Sequence, residues 1–318
     1  MARAAPDLEL AGQIRVTHLL LKQPGLLRAP VRFAELEAII ERMGARLSVS
    51  EIRGLRAAIF RKLGIEMPPQ SAESLQEFLE LVWTRRSRIS GDDVYSLYSN
   101  APSTQARLSG DPQAYKARLD ALAEGRAGSF RLQGNPDRGY WLYVGERHTA
   151  HEAAARTTER LYLNVAADHA VETMEKVVRD IVDNPSINGV LAAKVAGPAE
   201  VGVRADAIVI YLENPEASRA VLGRLKALTD ANPTHFNPTT PFMTDRMLKG
   251  VGAGMQPVGG GSFGGVRSDA IFRALQRTMA SRGTRDDFLR NVAEELRRVH
   301  VDPAVPHLNV GASGTPRP

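Results

Sequence analysis

Residues 160–165 read "RLYLNV". In an extended chain successive side chains alternate faces, so Arg160, Tyr162 and Asn164 share one side and Leu161, Leu163 and Val165 the other. One face is apolar and belongs against a core. The other carries a guanidinium, a phenol and an amide. A solvated sheet face accounts for such a pattern, and so does a functional face; the hexamer alone does not choose between them. What it does set is a strand, and the segments around it extend that strand into a fold.

The segment after it, through residue 182, places Val171, Met174, Val177, Val178 and Ile181 at helical spacing and stops at "DNPSING". Two strands follow: "GVLAAKVA" at 189–196 and "VRADAIVIYL" at 203–212. "PEASRAVLGRLKALTDA" then begins a helix with proline in its first turn. Upstream, "GNPDRGYWLYVGE" combines a tight turn with a short aromatic strand, Tyr140 to Val144. Helices mixed with strands in this order predict an α+β domain in which helices pack on a mixed sheet.

The first part of the chain reads as helical. "SVSEIRGLRAAIFRKLG" opens on a capping box, Ser48 to Glu51, and "PPQSAESLQEFLELVWTRR" puts Leu75, Phe78, Leu79 and Val82 on one helix face. The expected organisation is a helical module at 1–88 that docks a peptide or partner, an α+β domain at 89–300, and a disordered tail at 301–318.

Composition narrows the function. A hydrophobic share of 43% and a charged share of 24% are those of a folded globular protein. With no cysteine, thiolate metal sites, iron–sulfur clusters and thiol nucleophiles are ruled out. No apolar run is long enough to span a membrane and the N-terminus breaks any signal-peptide core with Asp7, Glu9 and Arg15, so a cytoplasmic protein is expected. The net charge of +5 favours an anionic partner. With 6% aromatic residues and no basic block, that partner is not expected to be nucleic acid.

The polar residues inside the strands are the candidates for chemistry. Lys194 sits among small apolar neighbours, where desolvation lowers an ammonium pKa and makes a base; a lysine guarding a sheet edge is the structural alternative. Arg204 and Asp206 share a face, so the carboxylate can orient the guanidinium. Beyond the glycine-dense stretch "GVGAGMQPVGGGSFGG" at 250–265 lie Arg267 and Arg273. The stretch is either an anion-cradling loop or a flexible connector. Several guanidiniums converging with one lysine suit a phosphate dianion, whereas each arginine alone is as well explained by a surface ion pair. His148 and His151 have metal-like spacing only on a helix, and a structural role at a loop edge is the expectation for both. His169, at the start of the helix after "RLYLNV", is read as a capping or surface residue.

In order, "RLYLNVAADHAVETMEKVV", "LAAKVAGPAEVGVRADAIVIYLE", "FNPTTPFMTDRMLKGVGAGMQP" and "SFGGVRSDAIFRAL" resemble the HopA-type effector family of plant-pathogen secretion systems, over roughly residues 90–278. Similar proteins occur in the biosynthesis of class V lanthipeptides and thioamitides. That family is distantly similar to the OspF and SpvC phosphothreonine lyases, which release phosphate by β-elimination. The resemblance implies a phosphothreonine-lyase-like fold and a phosphoserine or phosphothreonine lyase forming dehydroalanine or dehydrobutyrine in a phosphorylated precursor peptide. It implies no metal and no organic cofactor, and a separate kinase of the aminoglycoside-phosphotransferase type as partner. By position Lys194 stands for the base, Arg160 for the first lysine of a Lys-x-His strand, and Arg204 and Arg267 for phosphate ligands. Tyr162 falls on the histidine and takes over as proton donor or orienter. Asn164 or a backbone N–H would hold the enolate-like charge. The same resemblance leaves room for a catalytically silent binding partner and for a secreted effector acting on host phosphoproteins.

Overall fold

In the computed structural model, residues 70–99, 105–122, 124, 129–135 and 138–311 are described. The basic helix expected near Ser48–Gly64 lies outside them. Three helices come first: α1 (Gln70–Thr84), α2 (Gly91–Ser99) and α3 (Pro112–Leu122). Then follow β1 (Ser129–Gln133), β2 (Tyr140–Val144), α4 (Ala150–Arg156), β3 (Glu159–Leu163), α5 (Ala170–Val177), β4 (Val190–Ala196) and β5 (Ile208–Leu212). The chain continues through α6 (Pro215–Ala231), β6 (Asp245–Leu248), β7 (Val251–Met255), α7 (Phe263–Ala280) and α8 (Arg285–Arg298).

The strands form one seven-stranded sheet in the order β1-β2-β4-β5-β3-β7-β6. The α+β class is the expected one, but every pairing is antiparallel where a mixed sheet was anticipated. β3, the "RLYL" strand, is central and all five of its residues are buried. The solvated-face explanation of its polar side therefore fails.

Both sheet faces are covered. Leu161, Leu163, Ile208, Ile210, Leu212, Ala193 and Val195 pack on one side with α3, α5 and α6, through Leu119, Met174 and Leu225 among others. Tyr162 and Val209 face the other side, in a second core with α1, α2, α7 and α8. α5 begins as an α-helix and widens at Val178–Val182 into a π-helical turn, closed by Asp183 N–H donating to the Val178 carbonyl at 2.9 Å. Val177, Val178, Ile181 and Val182 are all buried, so this turn keeps one apolar stripe on the core.

Two expected boundaries shift. Leu75, Phe78, Leu79 and Val82 of α1 are buried, as their spacing predicts, but in the second core beside Phe242 and Phe288. Residues from Pro69 onward form one compact unit, so the boundary drawn at 88/89 falls inside it. At the other end, Val301 is fully buried, pairs with Asn309, and Pro306 gives its carbonyl to Arg267. The described part of the expected tail is packed structure.

Close approach of α7 to the sheet depends on glycine. A Cβ on Gly254 of β7 would stand 2.3 Å from the Phe263 ring, and one on Gly264 would stand 2.0 Å from the ring of Tyr98. No side chain fits at either position, and the glycines let α7 and α2 seat their aromatic rings against β3. Three consecutive glycines of the stretch, Gly259 to Gly261, turn with φ of 86°, 89° and 87°, and Ser262 caps α7 by accepting from Gly265 N–H at 2.9 Å.

Candidate functional site

Register brings the polar residues of three strands into adjacent rows. Lys194 lies opposite Val209, and Val209 opposite Tyr162. In the neighbouring row Ala192 faces Tyr211, and Tyr211 faces Arg160. All point to the α7 side of the sheet. Helix α2 adds Tyr95 and Tyr98, and the turn before β5 adds Arg204 and Asp206.

The Arg204–Asp206 pair is bidentate, with Nε to Oδ1 at 2.8 Å and Nη2 to Oδ2 at 2.9 Å. Expected on a common strand, the two sit instead in the turn that precedes it, because β5 begins at Ile208. Tyr95 lies under the guanidinium at 5.5 Å and accepts from Nη2 at 3.4 Å. Burial alone would raise the Asp206 pKa, but the charge and hydrogen bonds of Arg204, with help from Lys194, hold it below its ordinary value.

Lys194 places its ammonium 4.4 Å from the centre of the Tyr140 ring, a cation–π contact. The expected fall in its pKa does not occur. Burial works in that direction, but Tyr211, Asp206 and Tyr140 outweigh it and Arg204 opposes them only weakly, so the ammonium is held above its ordinary value. The neighbours in sequence are apolar; the neighbours in space are not.

Arg160 is buried, donates from Nη2 to the Gly261 carbonyl at 2.8 Å and lies 5.2 Å from the Tyr211 ring centre. The glycine turn thus rests on Arg160 through its backbone. The Nε of Arg160, the hydroxyls of Tyr98 and Tyr162, and Nη2 of Arg267 are buried without a partner at hydrogen-bonding geometry. Tyr162 packs on Phe263 at 5.6 Å, and burial raises its phenol pKa above the ordinary value against the pull of Arg160. It is a weaker proton donor than a free phenol.

Three assigned residues are placed differently from expectation. Arg267 is fully buried: Nε donates to the Pro306 carbonyl at 2.7 Å, Nη1 to Phe263 at 3.3 Å, and the guanidinium stacks 3.6 Å over the Phe263 ring. Burial pushes its pKa down to about 10, with Arg160 acting in the same direction, so it is a charged strut behind the site whose Nη2 amino group has no partner. Arg273 is half-exposed and bonded to Glu295 at 3.3 Å, in an ion-pair group on α7 and α8, and is not part of the site. Asn164 follows β3 and is fully engaged. Its Nδ2 donates to the Thr239 carbonyl and hydroxyl at 3.1 and 2.8 Å, and its Oδ1 accepts from Gln105 and Asn237 at 2.9 and 3.1 Å. An amide with both hydrogens and both lone pairs used has nothing to offer an enolate.

What the cluster does electrostatically follows from its inventory. Among the described residues Arg160 and Arg267 interact through Tyr98 and Tyr162, Lys194 joins them through Tyr211, Arg204 is tied in through Tyr95 and Lys194, and Asp206 is the carboxylate that faces them. Four cations against one carboxylate on a buried sheet face leave positive charge for a bound anion to neutralise. Tyr95, Tyr98, Tyr140 and Tyr211 were not singled out for this site by the sequence. The readable signals were a Tyr-x-x-Tyr pair in an otherwise polar helix and the alternation that puts Tyr211 on the face of Val209. His148 lies 3.5 Å from Arg156 at the edge of α4, in keeping with a structural role.

The profile of the HopA1 effector protein family matches residues 134–308. Two solved structures share the fold. The effector protein from Pseudomonas syringae pv. tomato strain DC3000 aligns with a TM-score of 0.60 and 20% identity, covering 76% of this chain and 99% of that one. The effector protein from Pseudomonas syringae pv. syringae strain 61 aligns with a TM-score of 0.57 and 19% identity over 76% and 97% of the two chains. No curated protein matches the sequence.

Proposed function

Since the chain belongs to the HopA1 effector protein family, we propose that it takes a phosphoserine or phosphothreonine of a precursor peptide onto the Arg160–Lys194–Arg204 face and removes the phosphate by β-elimination. The observation that carries this reading is the surplus of buried and half-buried cations over carboxylates on that face. A dianion there satisfies the positive charge, and Arg204, aimed by Asp206, presents a planar fork matched to phosphate oxygens.

In the elimination the Lys194 amine takes the Cα proton. The Cα electron pair forms the Cα–Cβ double bond, and the Cβ–O bond breaks with its pair leaving on phosphate. Arg160 and Arg204 hold that phosphate. Tyr162, which shares the strand face with Arg160 and interacts with its guanidinium, serves as orienter or proton donor. With Asn164 engaged elsewhere, the enolate-like oxygen is assigned to a backbone N–H. The peptide reaches this site already phosphorylated, which requires a separate kinase.

A second reading is favoured by a specific observation. An ammonium held above its ordinary pKa is a better phosphate ligand than base, which suits a phosphopeptide-binding partner without activity of its own. Mass spectrometry separates the two. A phosphopeptide that loses the elements of phosphoric acid with the native chain and not with Lys194→Ala supports elimination. Loss of phosphate with retention of the hydroxyl oxygen means hydrolysis and overturns the mechanism; binding without loss supports the silent partner.

A further inference from the structure

On the other side of the sheet, where α5 packs, His169, Glu172 and His235 converge from two segments distant in sequence. One ligand atom from each lies within 4.8 Å of the other two. His169 and Glu172 share a face at the start of α5 by their i, i+3 spacing, and His235 enters from the segment before β6. The two imidazoles stack at 3.9 Å with 11° between planes.

The carboxylate of Glu172 is divided between two tasks. Its Oε1 accepts from Lys176 at 2.7 Å, and Lys176 also reaches Asn232 Oδ1 at 3.3 Å, which fixes the carboxylate from behind. Its Oε2 faces both histidines, 3.8 Å from His169 Nδ1 and 3.9 Å from His235 Nε2. These separations are too long for hydrogen bonds. They are close to the roughly 3.4 Å between ligands of a tetrahedral ion bound at about 2.1 Å. Stacked in this way, the two rings hold their in-plane lone pairs in near-parallel planes, so sharing one ion requires His235 to turn out of the stack; it is buried and its Nδ1 has no partner, so no hydrogen bond at that nitrogen holds the ring where it is.

We infer that His169, Glu172 and His235 form a binding site for a divalent transition-metal ion of the Zn²⁺ type, with a fourth position open to water. Side-chain exposures of 39% for His169 and 42% for Glu172 give the ion a path and leave that position solvated. The ion would clip the start of α5 to the segment before β6, where Ala166 N–H already donates to the His235 carbonyl at 2.8 Å. The proposal is independent of the phosphate face.

The test uses the full chain stripped with chelator and titrated calorimetrically with Zn²⁺, with Co²⁺ absorption reporting ligand type and thermal denaturation reporting linkage. One ion per chain, a tetrahedral Co²⁺ spectrum and a rise in Tm are expected. His169→Ala and Glu172→Gln, both at exposed positions, should each weaken binding by at least about tenfold. His148→Ala, at a different histidine, should leave binding unchanged. Absence of stoichiometric binding overturns the site, as does binding that survives both His169→Ala and Glu172→Gln.

Discussion

Replacing Asp206 with asparagine keeps its shape and removes the carboxylate that faces Arg204 and Lys194. Asp206 is 8% exposed and the Arg204 side chain 21%, and two hydrogen bonds of 2.8 and 2.9 Å join them. Breaking a buried pair of this kind costs about 3–5 kcal/mol. Arg204 keeps some solvent, so the expected loss for Asp206→Asn at pH 7 is at the low end, about 3 kcal/mol. The sign with pH follows from the depressed pKa of Asp206. Its contribution is fully present above the unfolded value near 3.8 and disappears as pH falls through the lower folded value, so the two proteins converge in acid. Urea denaturation across that range measures the difference. Arg204→Met combined with Asp206→Asn should cost less than the sum of the singles by about 2 kcal/mol. Inorganic phosphate should raise the denaturation midpoint of both proteins, and of Asp206→Asn more, since an anion no longer meets the carboxylate. A loss below about 1 kcal/mol at pH 7, or a phosphate effect that is absent in both, would refute the charge argument.

Other outcomes follow from the same geometry. If Lys194 is the base, its raised pKa means that elimination should speed up about tenfold per pH unit through the neutral range, a slope that stopped-flow or mass-spectrometric rates can read; a plateau near pH 7 would remove Lys194 from that role. Asn164→Ala should cost about 3 kcal/mol in urea denaturation by stranding Gln105, Asn237 and Thr239, and should leave phosphopeptide affinity in the folded protein nearly unchanged. Unaltered stability with lost elimination would return Asn164 to the chemistry. Gly264→Ala, which drives a methyl into the Tyr98 ring, should destabilise by about 1–3 kcal/mol and weaken phosphopeptide binding, as thermal denaturation and calorimetry would show.

Much of the frame was legible in local pattern. Alternation in "RLYLNV" gave the central strand, and the Leu75–Phe78–Leu79–Val82 spacing gave the buried face of α1. Lys194, Arg160 and Arg204 could be picked because cations inside apolar strands are conspicuous. What failed depended on partners distant in sequence. The raised pKa of Lys194 comes from Asp206, Tyr211 and Tyr140, which only strand pairing brings near. Asn164 is consumed by residues from two other segments, Gln105 on one and Asn237 and Thr239 on the other. Arg267 is buried by Pro306, from a stretch whose composition reads as tail; only its i, i+4 spacing from Phe263 hinted at the stacking. The His169–His235 stack has no local signal at all.

The most direct measurement is a calorimetric titration of the native chain with one peptide in phosphorylated and unphosphorylated forms, repeated with Arg160→Ala and Arg204→Ala. The account predicts that phosphate strengthens binding by at least about thirtyfold, roughly 2 kcal/mol, and that each arginine variant lowers the affinity for the phosphopeptide by about 2–5 kcal/mol. Equal affinity for the two peptides, or arginine variants that bind the phosphopeptide as the native chain does, would contradict it.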